Sequence, residues 1–174
     1  GKALPTRAAI PTLRAMPASS DPREIVDFYQ LGSDELAALA RLEPLFEAQA
    51  NRFVESFYRH LLSFPETQNL LRDEEVRRRL LIRQREYLLG LCTPEIDAGY
   101  IAQRQAIGDT HERVGLGTGW YLGAYALYAS LLLPAVLQET RHDPVASEQA
   151  VTALIKRLMF GAHLALDRYM AVRE

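Results

Sequence analysis

The sequence predicts an all-α fold of six or seven helices. Apolar residues recur at helical spacing through most of the chain, helix-opening and helix-ending residues bracket those stretches, and no stretch alternates apolar and polar residues over a useful strand length. At 174 residues the chain can bury one sizeable core without disulfide help. A net charge of -2 offers no global attraction to nucleic acid or anionic lipid. Cys92 is the single cysteine, which rules out an intramolecular bridge and favours a reducing, cytoplasmic setting.

The first twenty residues carry three prolines, three basic residues and no acid, and read as a flexible extension ahead of one domain spanning 21–174. Asp21 and Pro22 form an N-cap and first-turn pair that opens a short helix ending near Gly32. Ser33, Asp34 and Glu35 start the next pattern, whose stripe runs from Leu36 to Leu62 and ends at Pro65, long enough for two helices joined by a bend. Asp73, Glu74 and Glu75 place negative charge at a helix start, followed by a stripe from Val76 to Leu91 that ends between Gly90 and Pro94. A further helix is expected from Glu95 to Val114, with Gly115, Gly117 and Gly119 marking the turn after it. The last helix is expected from Val145 to Val172.

Thr118 to Leu137 is an uncharged run of twenty residues, about the length that spans a bilayer. Two glycines, Pro134 and three tyrosines interrupt it, and the charged amphipathic helices around it need an apolar partner. A central core helix, or one shared with a second subunit, is therefore expected.

At about 100° per residue, Ile96, Tyr100, Ile107, His111 and Val114 share a narrow sector of one helix. His111 thus sits in the middle of an apolar stripe, where its ring must be satisfied. It is either a neutral core histidine bonded to a backbone carbonyl or the one protein ligand of a metal whose other positions are filled elsewhere. Haem iron is such a metal, whereas zinc needs three or four clustered ligands that are not seen here. Tyr58 lies on the apolar face of Phe53, Val54, Phe57, Leu61 and Leu62. Its ring is core, or its hydroxyl points into a pocket and donates to a ligand with partial negative charge. His60, His142 and His163 read as surface or core histidines. The arginines at 77, 78, 79, 83 and 85 are offset by Asp73, Glu74, Glu75 and Glu86, which makes a solvated face rather than a nucleic-acid surface. No phosphate loop, nucleophile elbow or catalytic carboxylate pair is present.

The stretches FVESFYRHLLSFPETQNLL, VRRRLLIRQREYLLGL and RQAIGDTHERVGLGTGWYLGAY resemble the haem domain of bacterial globin-coupled sensors. The matching positions are Phe57-Tyr58, His111, Val114-Gly115-Leu116, and Trp120-Tyr121 before Gly123-Ala124-Tyr125, and the likeness covers roughly Ser33 to Met170. Gly117-Thr118-Gly119 departs from the family pattern, in which a proline often precedes the Trp-Tyr pair, and the connection from Gly90 to Tyr100 is a few residues longer than in some members. The resemblance implies a globin-like sensor fold with an additional N-terminal helix and haem b as cofactor. It makes His111 the axial iron ligand and Tyr58 the gas-facing donor. Phe57, Leu80, Gln84, Tyr100, Ile107, Val114, Trp120 and Tyr121 become pocket residues, and Arg83 takes no assigned contact. The implied ligand is dioxygen, with carbon monoxide and nitric oxide able to bind the same iron. The implied assembly is a homodimer through the last two helices, signalling to a C-terminal output module and not itself an enzyme. The alternative is a globin-like domain without haem that only dimerises and relays a signal.

Overall fold

A computed structural model describes residues 21–171, which form eight α-helices and no strand. The expected extension over residues 1–20 lies outside the described residues. The helices are α1 (Pro22–Phe28), α2 (Ser33–Ala40), α3 (Glu43–Leu62), α4 (Pro65–Leu70), α5 (Glu74–Gly90), α6 (Ala98–Arg113), α7 (Thr118–Glu139) and α8 (Pro144–Ala171).

Short acidic side chains set the starts. Asp21 accepts from the Arg23 amide at 3.0 Å, Asp73 from Glu75 at 2.8 Å, Asp97 from Tyr100 at 2.7 Å and Asp143 from Ala146 at 3.0 Å. Each satisfies an amide that the first helical turn leaves without a partner. The Asp97 cap has a consequence for the expected sector, because it starts α6 three residues later than Glu95 and leaves Ile96 outside the helix. Ile96 packs instead with Ile25, Leu31, Ile101, Phe160 and Leu164. The long stripe from Ser33 divides after Ala40, and Pro44 enters in the first turn of α3, where its missing amide hydrogen costs nothing. Pro65 both follows one helix and opens another, so the short α4 appears where the sequence suggested only an ending.

α8 is the spine of the molecule. Ala150, Ala153, Leu154 and Leu158 enter the main core with residues of α2, α3, α5 and α7; Phe160 and Leu164 join α1 and α6; Ala165 and Tyr169 close on Tyr121 of α7. α6 lies against α8 and α5 against α3, with no comparable packing between α5 and α6, whose gap is bridged by side chains. α7 buries one stripe, made by Tyr121, Tyr128, Leu132 and Val136. Leu122 and Leu137 on the same helix are about half exposed, so within one chain α7 is a flanking helix rather than a fully wrapped central one. By length and composition it passes the test for a membrane span, a test that core helices of soluble proteins also pass.

α6 and α8 approach each other closely at Gly108. A Cβ there would fall 2.4 Å from the Ala165 carbonyl oxygen and 2.9 Å from its Cα, both backbone atoms that cannot swing aside. Gly108→Val is expected to destabilise the fold by about 3 kcal/mol, an overpacking cost, seen as a Tm lowered by roughly 10 °C in thermal unfolding. Gly123→Ala, where the added carbon meets nothing within 4 Å, is expected to be neutral or to stabilise by about 0.5–1 kcal/mol.

Candidate functional site

The last turn of α6 fixes the candidate ligand. Val114 caps the helix, Gly115 follows with a φ of 75°, the Gly115 amide donates to the Glu112 carbonyl at 2.9 Å, and the Leu116 amide donates to the His111 carbonyl at 3.0 Å. This double closure requires the left-handed conformation that glycine adopts without strain, and it ties the main chain of His111 to the turn behind it. The side chain is tied as well. His111 Nδ1 lies 2.7 Å from the Ile107 carbonyl oxygen, to which it donates. That bond assigns the proton to Nδ1 and leaves the lone pair on Nε2, which makes no hydrogen bond with any described residue. Burial holds the imidazole below its usual pKa of 6.5, an effect the Ile107 bond only partly offsets. The ring is therefore a neutral donor with one free nitrogen.

Tyr121 stacks obliquely on His111 with ring centres 5.1 Å apart, and its hydroxyl meets that of Tyr125 at 2.6 Å. Burial pushes both phenols well up in pKa, so they act as neutral groups. The ring of Tyr87 lies edge-on to both Tyr125 and Tyr128, and the Tyr128 hydroxyl donates to Gln84 of α5. Leu80, one helical turn before Gln84, is half-buried. Phe57 is buried against Phe53 and Tyr128. Its neighbour Tyr58 is half-buried and lines a groove of about 360 Å³ with Glu55, Arg59, Leu62 and Leu81. The side chain of Ile107 packs beside Tyr121 and Tyr169. Tyr100 stands 4.8 Å from the Arg104 guanidinium and 4.5 Å from that of Arg157.

Val114 and Trp120 reach the surface instead, 51% and 39% exposed, and Trp120 packs on Phe64 beyond α3. His60 leans edge-on against Phe64, His142 is exposed, and His163 bridges the Tyr29 hydroxyl and Asp167. Sequence reasoning gave no role in the site to Tyr87, Tyr128, Arg104 or Arg157, and used Tyr125 only as a matching position of the family pattern. Two signals were available: Tyr121, Tyr125 and Tyr128 recur at helical spacing, and Arg104 lies seven residues before His111, in the same sector of the helix.

No group of three or more histidine, cysteine or acidic side chains is placed to hold a metal among the described residues. A metal at His111 would need its remaining ligands from elsewhere. Haem meets that condition, because its macrocycle fills the equatorial positions and one neutral imidazole nitrogen suffices from the protein. The donor chemistry of His111 fits it.

The Protoglobin family model matches residues 19–174. The chain belongs to the Protoglobin family. Membership of a globin family implies a haem-binding domain, and the resemblance to sensor globins seen in the sequence is borne out. Among curated proteins this protoglobin is 38% identical over 156 residues to the heme-based aerotactic transducer HemAT of Halobacterium salinarum, covering 83% of this chain and 32% of that one. The chain thus spans about a third of that relative. Among solved structures it is similar to the globin domain of a Geobacter sulfurreducens globin-coupled sensor, with a TM-score of 0.80 and 28% identity over 84% of this chain and 96% of that domain. The ferric globin domain of E. coli DosC shares the fold at a TM-score of 0.72 and 15% identity, over 84% of this chain and 97% of that one. The all-α globin-like fold expected from the sequence is therefore established, with α1 ahead of the helices that carry the site.

Tyr121→Phe keeps the ring against His111 and removes one half of the buried hydroxyl pair. It is expected to lower unfolding free energy by about 1 kcal/mol, read from urea denaturation.

Proposed function

We propose that this protoglobin binds haem b through His111 and senses a diatomic gas, dioxygen first, with carbon monoxide and nitric oxide as further ligands. The observation that carries the reading is the division of labour in one imidazole: Nδ1 bound to Ile107 and Nε2 free. A ring held this way is in the tautomer that an axial ligand needs, and the hydrogen bond at Nδ1 raises the basicity of Nε2. When bound, haem supplies an iron that takes up the gas. The protein's share is to present Nε2, to exclude water with the Tyr121 and Ile107 side chains, and to offer the Tyr58 hydroxyl as a hydrogen-bond donor. The name of the Halobacterium relative, a heme-based transducer, supports this assignment.

The proposed protein is a sensor rather than an enzyme. Leu122 and Leu137 on α7 and Ile155, Met159 and Met170 on α8 are exposed apolar side chains, the composition of a homodimer face through the last two helices. Such a pair would pass the signal to an output module in the parent protein. A second reading is a dimerising signalling domain without haem, in which the tyrosine cluster between α5 and α7 serves only as core.

A visible spectrum of the ferrous protein after haem reconstitution separates the two readings. A Soret band that shifts with carbon monoxide is expected, and its absence would leave the dimerisation domain. His111→Ala should abolish axial coordination by the protein. Tyr58→Phe should raise the dioxygen dissociation rate by about tenfold, corresponding to one lost hydrogen bond, measured by stopped flow. An unchanged rate would assign the donor role to another group. Light scattering should report a dimer.

A further inference from the structure

Arg157 is fully buried in the middle of α8, and no carboxylate among the described residues pairs with it. Its Nε–H donates to the Tyr100 hydroxyl at 3.2 Å and its Nη2 donates to the Gly90 carbonyl at 3.2 Å, while Nη1 finds no acceptor. Arg104 is 4% exposed, and its guanidinium sits 4.2 Å from the centre of the Tyr87 ring and 4.8 Å from that of Tyr100. Its Nε is also without a partner. A Cβ on Gly90 would fall 2.8 Å from Arg104 Nη2. Two guanidinium groups therefore converge on the last residue of α5 and on one phenol in α6.

This arrangement is expensive for a purely structural device. Two cations have been taken out of water with no anion beside them. The aromatic faces and the negative end of α5 offset part of that, but two buried donors still go unanswered. Apolar side chains of similar volume commonly serve the packing of such a site as well or better. What they cannot do is bind one carbonyl and one hydroxyl on two different helices at once.

One of those helices, α6, carries His111, and the other, α5, carries Leu80 and Gln84. Gly90 ends α5, and Tyr100 lies in the first turn of α6, about 16 Å along the axis from His111 at 1.5 Å per residue. Side chains rather than close backbone packing bridge α5 and α6, so a change in their separation acts on the residues that span them. The third member of the junction, Arg157, belongs to α8, the last helix and one of the two that offer an exposed apolar face. We propose that Arg157, with Tyr100 and Arg104, is a positioning junction that carries gas-dependent movement of α5 against α6 into α8. The proposal rests on the haem-based reading above and adds the route by which the site reaches α8.

The test uses the haem-loaded chain, ferrous, with and without carbon monoxide, followed by hydrogen–deuterium exchange of peptides from the second half of α8. In the unsubstituted protein carbon monoxide should change exchange between Phe160 and Ala171. Arg157→Met should reduce that change at least twofold while the Soret band still shifts with carbon monoxide and Tm stays level or rises. Arg157→Lys, which keeps the charge and one donor direction, should recover part of the response. Should Arg157→Met fail to take up haem, Tyr100→Phe gives the same reading, because it removes only the hydroxyl that accepts from Arg157, and it should weaken the response. A full response in Arg157→Met, or in Tyr100→Phe where that variant stands in, would overturn the junction. So would an unsubstituted protein whose α8 ignores carbon monoxide despite a normal Soret shift. Absence of any Soret band in the unsubstituted protein is a different failure, which removes the haem reading and the junction with it.

Discussion

Close contact between α6 and α8 at Gly108 and Ala165 determines where everything else in the candidate site can be. Because no side chain separates the two backbones there, α6 lies low against the spine, and His111, three residues further on, meets Tyr121, which packs with Ala165 and Tyr169. Asp109 and Arg168 add a two-point ion pair at 2.9 and 3.3 Å beside the same crossing. Being partly open to solvent, that pair orients more than it stabilises. The Schellman closure at Gly115 then stops α6 just after the histidine, so the ring cannot be carried away from the tyrosine cluster by further helical turns.

From that placement the chemistry of His111 follows. A histidine on an apolar stripe must give its polar atoms to something, and here the choice falls unequally on the two nitrogens. Nδ1 uses the carbonyl one turn back, an acceptor every helix supplies, and Nε2 is left available. Burial favours the neutral ring, and only the neutral ring keeps a nitrogen lone pair with which to act as a ligand. The aromatic contacts around it, Tyr121 to Tyr125, Tyr87 and Tyr128, form a continuous cluster joining α5 and α7, with hydroxyl groups inside that need partners. Two of those hydroxyls share one bond, one uses Gln84, and that of Tyr87, like that of Tyr169 beside Tyr121, has no partner among the described residues.

α7 shows how a strongly apolar segment can mislead when read alone. Its composition would suit a membrane span or a wrapped core helix, yet a single chain covers only the stripe from Tyr121 to Val136. Leu122 and Leu137 stay about half exposed, and that uncovered side is part of the surface on which the proposed homodimer rests.

The caps and stripes in the sequence determined the helices within a few residues, because acceptors such as Asp73, Asp97 and Asp143 act on amides only two or three residues away. They also placed His111 and Tyr58 on apolar faces and a turn at Gly115 to Gly119, all local facts. Even the local reading slipped where one residue type has two uses: Pro65 reads as a stop and here also starts α4, and Ile96 fits the stripe but precedes the cap. What only the tertiary structure decided concerns partners far apart in the chain. Arg157 meeting Gly90 and Tyr100, Tyr128 meeting Gln84, and Val114 and Trp120 turning to the surface depend on how helices cross. Crossing is set by packing between segments, above all by the missing side chain at Gly108, and that is information no helical period contains.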